Sequence, residues 1–141
     1  MALIKKILKG KKQSAEYILI NEEVNRSKRF GFNFGILIVE LSHAAPYGLS
    51  RLMPGRTIAF KVLRQNIRCY DKIIGPFIRR YYILLPQTNQ EGVKVVEKRI
   101  DQIAKKNELG TVYIGKAVFP FDGKDVKSLV NKALGNKTGK S

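Results

Sequence analysis

Cysteine and histidine are nearly missing from this chain of 141 residues: Cys69 and His43 are the only ones. One cysteine excludes an internal disulfide, and one histidine excludes a His/Cys zinc cluster. Nothing demands an oxidising compartment, so the expected location is the cytoplasm. Acidic residues are scarce as well, 11 Asp and Glu against 27 Lys and Arg, for a net charge of +16. That imbalance favours polyanionic partners: nucleotides, nucleic acid or anionic lipid. The basic residues are spread from Lys5 to Lys140, so charge names a class of partner without identifying one. A glycine-rich phosphate loop is missing too, since LKGKKQS has Gly-Lys but neither the GxxxxGK[ST] spacing nor a preceding strand. No apolar run is long enough to span a membrane. The opening MALIKKILKGKK is broken by Lys5 and Lys6 and no small-residue cleavage site follows, so it reads as neither signal peptide nor span. Residues 1–13 are expected to be a basic tail. Leu3, Ile4, Ile7 and Leu8 on one face of a short helix offer a membrane-surface alternative.

What is present is enough to fold. Hydrophobic residues make up 44% of a length that suits one domain with a real core. Residues 14–30 have helical spacing of Tyr17, Ile20 and Val24, a capping Ser14 and a basic end closed by Gly31. FGILIVEL, 34–41, is a nearly continuous apolar run, the pattern of a strand buried on both faces. Residues 42–55 are mostly loop. A second helix is expected over 56–67, with Ile58, Ala59, Val62, Leu63 and Ile67 on one side. Residues 68–86, RCYDKIIGPFIRRYYILLP, read as strand, turn at Gly75-Pro76, and strand. A third helix follows TNQEG, with Val93, Val96, Ile100, Ile103 and Ala104 as its apolar stripe. A strand over 111–119, a turn at PFDGKD and a last helix over 125–134 complete the unit of residues 14–137. Residues 138–141 are expected to fray. The order predicts an α/β fold: a ferredoxin-like βαββαβ core sheet with covering helices.

Four stretches together resemble the GGDEF domain, the diguanylate cyclase or nucleotidyl-cyclase-like fold, over residues 16–137. EEVNRSKRFGFNFGILIVEL is similar to its first helix and strand, and RCYDKIIGPFIRRYYILLPQT to its signature hairpin. VYIGKAVFPFDGKD and LVNKALGNK are similar to its late strand, turn and closing helix. The resemblance implies a bacterial signalling domain, and it also exposes departures. Where the family has Gly-Gly-Asp/Glu-Glu-Phe, this chain has Phe77, Ile78, Arg79, Arg80 and Tyr81. Phe77 and Ile78 fill space that two glycines leave for a nucleotide phosphate. Arg79 and Arg80 repel the magnesium that an acidic pair holds. Where the family has Asp-x-Asp after the first strand, this chain has Glu40-Leu41-Ser42. The guanine-holding Phe-Lys-x-x-Asn-Asp region and the Asp-x-Leu-Thr segment have no match. A degenerate, catalytically inactive domain with no metal or cofactor is therefore expected, with Glu40, Ser42, Phe77, Ile78, Arg79 and Arg80 as vestigial positions. Arg79 or Arg80 is expected either to pair with Glu40 or to point into solvent.

One family feature persists. Arg68-Cys69-Tyr70-Asp71 matches the Arg-x-x-Asp product site that lies five residues before the first signature glycine. An arginine clamps phosphate or a guanine edge with paired donors, an aspartate accepts from guanine N–H groups, and Tyr70 can stack on a base. The plainer alternative is a local pair of Arg68 and Asp71 at the end of the second helix. Three readings remain open: a cyclic di-GMP receptor through Arg68, Asp71 and Tyr70; a docking scaffold with a protein partner or a second copy of itself; and a basic surface for nucleic acid or anionic membrane. Other enzyme readings fail. His43 beside Glu40 and Ser42 matches a hydrolase triad in composition alone, and Cys69 is expected to be a small buried or half-buried side chain.

Overall fold

In the computed structural model, residues 14–41, 55–77, 80–107, 109–136 and 138–140 are described. The basic segment 1–13, Ser42, His43, Ile78 and Arg79 lie outside them. The order of elements is α1 (Ala15–Phe30), β1 (Phe34–Leu41), α2 (Gly55–Gln65), β2 (Lys72–Phe77), β3 (Arg80–Pro86), α3 (Gln90–Lys106), β4 (Val112–Phe119), α4 (Val126–Gly135) and β5 (Thr138–Lys140). They form one antiparallel sheet in the order β2-β3-β1-β4-β5. Its first four strands have the expected split βαβ arrangement.

Local chemistry sets the helix ends. Ser14 caps α1 by accepting from Tyr17 N, and Gly31 closes it in the left-handed region at φ 72°. Asn89 caps α3 through Gly92 N, so this helix begins inside the TNQEG stretch rather than after it. Asp125 and Ser128 form a reciprocal capping box on α4.

The continuous apolar run of β1 is explained by burial on both sides. Leu37, Val39 and Leu41 join Tyr81, Ile83 and Leu85 beneath α2 and α3, where Ala59, Leu63, Val93, Val96 and Ile100 close the layer. Phe34, Ile36 and Ile38 join Tyr82, Leu84, Ala117 and Phe119 beneath α1 and α4, against Ile20, Val24, Val126 and Leu129. Gly35 leaves room for α3: a Cβ there would stand 2.2 Å from Val93 Cγ2.

Three expectations need correction. Gly75-Pro76 is not the hairpin turn. It lies within β2 at a register shift between Ile74 and Phe77, with Gly75 at φ 122°, and pairing resumes at Phe77 opposite Arg80. Residues 138–140, expected as part of a frayed tail, pair through their backbone with Val112–Ile114 and extend the sheet. Cys69 is exposed, because it sits on the turn between α2 and β2 rather than on a packed face.

Candidate functional site

The register fixes two poles of the sheet. Along β1, Phe34 pairs with Pro86 at one end and Glu40 with Arg80 at the other. At the strand rise per residue, these pairs are about 20 Å apart.

At the Glu40 pole, the cross-strand register brings the hairpin against the end of the first strand. Arg80 Nε donates to Glu40 Oε1 at 2.9 Å, and Arg80 Nη2 stands 2.5 Å from the same oxygen. Arg80 Nη1 reaches the Tyr82 hydroxyl at 3.3 Å. The bonds to Tyr82 and then Glu40 hold the guanidinium above its ordinary pKa, outweighing desolvation. Of the two arginines considered from sequence, Arg80 makes the pair. Tyr81, at the signature's aromatic position, is buried beneath α2 and α3. The backbone of Phe77 is in β2.

At the opposite pole, the turn leaving α2 presents Arg68, Tyr70 and Asp71. Asp71 is wholly buried at its side chain, whereas Arg68 is 37% exposed. Asp71 Oδ1 accepts from Arg68 Nε at 3.1 Å and Nη2 at 2.8 Å; Oδ2 accepts from Nε at 3.1 Å and from the Arg68 backbone N–H at 2.8 Å. Arg68 Nη2 also donates to Thr88 Oγ1 at 2.6 Å and Pro86 O at 3.3 Å. Tyr70 is 55% exposed and lies under this group, with Arg68 Cζ 4.6 Å from the ring centroid. The bonds to Asp71 raise the Arg68 pKa above its ordinary value.

The local Arg68–Asp71 pair is therefore formed, and it changes the role open to Asp71. Both oxygens already accept from Arg68, so in this arrangement the carboxylate orients the arginine. Sequence reading missed two supports. Arg64, in the last turn of α2, donates to the carbonyls of Asp71 at 2.7 Å and of Arg68, fixing the turn. Thr88 is buried, donates to Pro86 O and receives Arg68. The basic last turn of α2 and the pattern Pro-x-Thr were the available signals. Beside Arg68 opens a cleft of about 450 Å³ lined also by Phe32, Asn33, Gln87 and Thr88.

Comparison with known proteins agrees with this architecture. No protein-family model and no curated protein sequence matches the chain. Solved structures do. A diguanylate cyclase protein from Thermotoga maritima is 15% identical, covering 86% of this chain and 90% of that one, with a TM-score of 0.66. The GGDEF domain of TpbB (YfiN) from Pseudomonas aeruginosa is 13% identical over 83% of this chain and 76% of that one, with a TM-score of 0.65. The GGDEF domain of DgcB from Caulobacter crescentus, solved in complex with c-di-GMP, is 14% identical over 84% and 77%, with a TM-score of 0.63. The chain thus has the GGDEF-domain fold. Among the described residues, no helix is long and apolar enough to cross a membrane.

Proposed function

We propose that this chain is a GGDEF-fold signalling domain without cyclase activity that binds cyclic di-GMP through Arg68 and Tyr70. The observation carrying the loss of activity is the Glu40–Arg80 pair. Phosphoryl transfer of the cyclase kind relies on carboxylates that hold divalent cations. Here the one carboxylate at the end of β1 is bound by a guanidinium from the hairpin. A fixed cation beside a single carboxylate does not fit a metal pair, and no catalytic step is assigned through one.

The receptor half rests on Arg68 and Tyr70. The fork of Arg68 is oriented by Asp71 and Thr88 and remains over one-third exposed on the Tyr70 ring. A planar guanidinium backed by an aromatic ring suits a guanine edge or a phosphate. The complex of the DgcB domain supports this choice of ligand by likeness of fold. A docking scaffold without nucleotide binding is the second reading, favoured by the mutual satisfaction of Arg68 and Asp71.

The test is calorimetric titration of cyclic di-GMP into wild type, Arg68→Lys and Tyr70→Ala, with GTP turnover measured in magnesium. The proposal expects saturable binding weakened in both variants and no product from GTP. Arg68→Lys keeps the charge but loses the planar fork. Binding equal in all three proteins would overturn Arg68 and Tyr70 as the site, and no binding would leave the scaffold. Turnover of GTP would refute the inactive reading.

A further inference from the structure

We propose that Asn136 and β5 form a displaceable cover over the outer edge of β4, and that this edge, once uncovered, pairs with the β4 edge of a second copy of the chain. The sheet ends in β2 on one side and β5 on the other. The β2 edge is blunted by its own bulge and by Pro76. On the other side the strand that lies beneath the cover is β4.

In an antiparallel sheet, alternate residues turn both backbone groups toward the same neighbour. On β4 the residues turned away from β1 are Val112, Ile114, Lys116 and Val118, and each has a partner. Val112 and Ile114 pair with Lys140 and Thr138 of β5. Lys116 N–H donates to Asn136 Oδ1 at 3.0 Å, and Lys116 O accepts from Asn136 Nδ2 at 2.9 Å. One side-chain amide thus stands in for a residue of a neighbouring strand. Val118 N–H donates to Asp122 Oδ2 at 2.8 Å, and Val118 O accepts from Asp122 N–H at 2.7 Å. The edge is closed from Val112 to Val118 by a short strand, an amide and a turn, although no full strand lies there.

The strand beneath is suited to pairing. VYIGKAVF is rich in β-branched and aromatic residues, has no proline and carries a single charge. That charge, Lys116, is bonded to Glu97 at 2.9 Å. A net charge of +16 keeps copies of the chain apart in general, but along this edge the repulsion is answered locally. An antiparallel edge matches its own copy about a two-fold axis, so a second β4 supplies every partner that the first one needs. The cover is the weakly held part. β5 has three residues against eight in β4. Ordering so short a backbone offsets much of what its hydrogen bonds contribute.

The test compares full-length wild type with the double variant Asn136→Ala/Thr138→Pro, which removes the amide and the backbone N–H at 138. Sedimentation reads the association state, and amide hydrogen exchange reads the edge. Wild type is expected to be monomeric. Its Val112 and Ile114 amides should exchange at least about tenfold faster than those of Tyr113 and Gly115, which face β1, because the cover opens without the sheet. The double variant should form a concentration-dependent dimer, with the amides of Val112, Ile114 and Lys116 at least about tenfold slower to exchange than in the dilute variant. A folded variant that stays monomeric to about 1 mM, a dimer that leaves those amides unprotected, or wild type that dimerises as strongly as the variant would overturn the proposal. Equal exchange of the four wild-type amides would overturn it too, and that measurement stands even where the double variant does not fold. The edge lies apart from Arg68 and Tyr70, so binding of cyclic di-GMP there leaves each of these outcomes unchanged.

Discussion

Replacing Arg68 with alanine tests whether Asp71 is a positioning group. The substitution strips the buried carboxylate of its side-chain partners and leaves it the backbone N–H of residue 68. A hydrogen bond to a charged group contributes about 1.5–3 kcal/mol. The contacts within one pair do not add, and Arg68 is 37% exposed, so solvent screens part of the interaction. The expected cost is about 2 kcal/mol, between an exposed pair and a fully buried one. For a chain of this size that lowers the melting temperature by about 6–8 °C. Asp71→Ala should cost less, because Arg68 can then turn to water. Urea denaturation of wild type, both single variants and the double variant gives the coupling, expected at about 1–2 kcal/mol. A coupling below about 0.5 kcal/mol, the error of additivity between independent sites, would refute the positioning role. The same cost explains why ligand titrations are better served by Arg68→Lys, which keeps a cation beside the carboxylate.

Gly35→Ala places a Cβ 2.2 Å from Val93 Cγ2, where both the strand and α3 are buried. It should destabilise the chain by about 1–3 kcal/mol in chemical denaturation, and Val93→Ala should recover part of that loss by removing the clash. Asp125, which caps α4, has a pKa lowered below its usual 3.8 by the side-chain and backbone bonds from Ser128. A depressed carboxylate stabilises above its unfolded value and loses that contribution as pH falls through its folded value. The stability advantage of wild type over Asp125→Asn should therefore hold at neutral pH and shrink below about pH 4 in pH-dependent urea melts. An advantage unchanged in acid would show that the cap works without its charge.

The elements were legible in the sequence where one physical signal dominated. FGILIVEL could be read as a doubly buried strand because no polar position interrupts it before Glu40. The stripe of α3 was readable from Val93, Val96 and Ile100, all of which reach the core. The misread places are those where backbone conformation decides. Gly75-Pro76 has the composition of a turn, but a bulge uses the same positive-φ glycine inside a strand. Thr138–Lys140 has the composition of a frayed end, but an edge strand needs only backbone partners, which β4 supplies. At the site, a pair of Glu40 with Arg79 or Arg80 was legible only as one of two outcomes, and the register places Arg80 opposite Glu40. Arg64 and Thr88 were not legible, because each acts through a carbonyl or hydroxyl that only the folded turn brings near.

The two poles of the sheet are held by different pairs. Two carboxylates facing each other across adjacent strands repel unless cations sit between them. An arginine opposite Glu40 places an attraction there instead. The strand behind it is insulated from the change, since Tyr81, Ile83 and Leu85 fill one core and Tyr82 and Leu84 the other. Arg68 and Asp71 persist under another constraint. Asp71 holds Arg68, and Arg68 in turn joins the turn after α2 to Pro86 and Thr88 at the end of β3. The pattern Arg-x-x-Asp therefore has a structural use whether or not a nucleotide binds. The residue that separates binding from structure is Tyr70, half exposed under the guanidinium. Its loss should leave the Asp71 and Thr88 bonds in place and remove only a surface for a base.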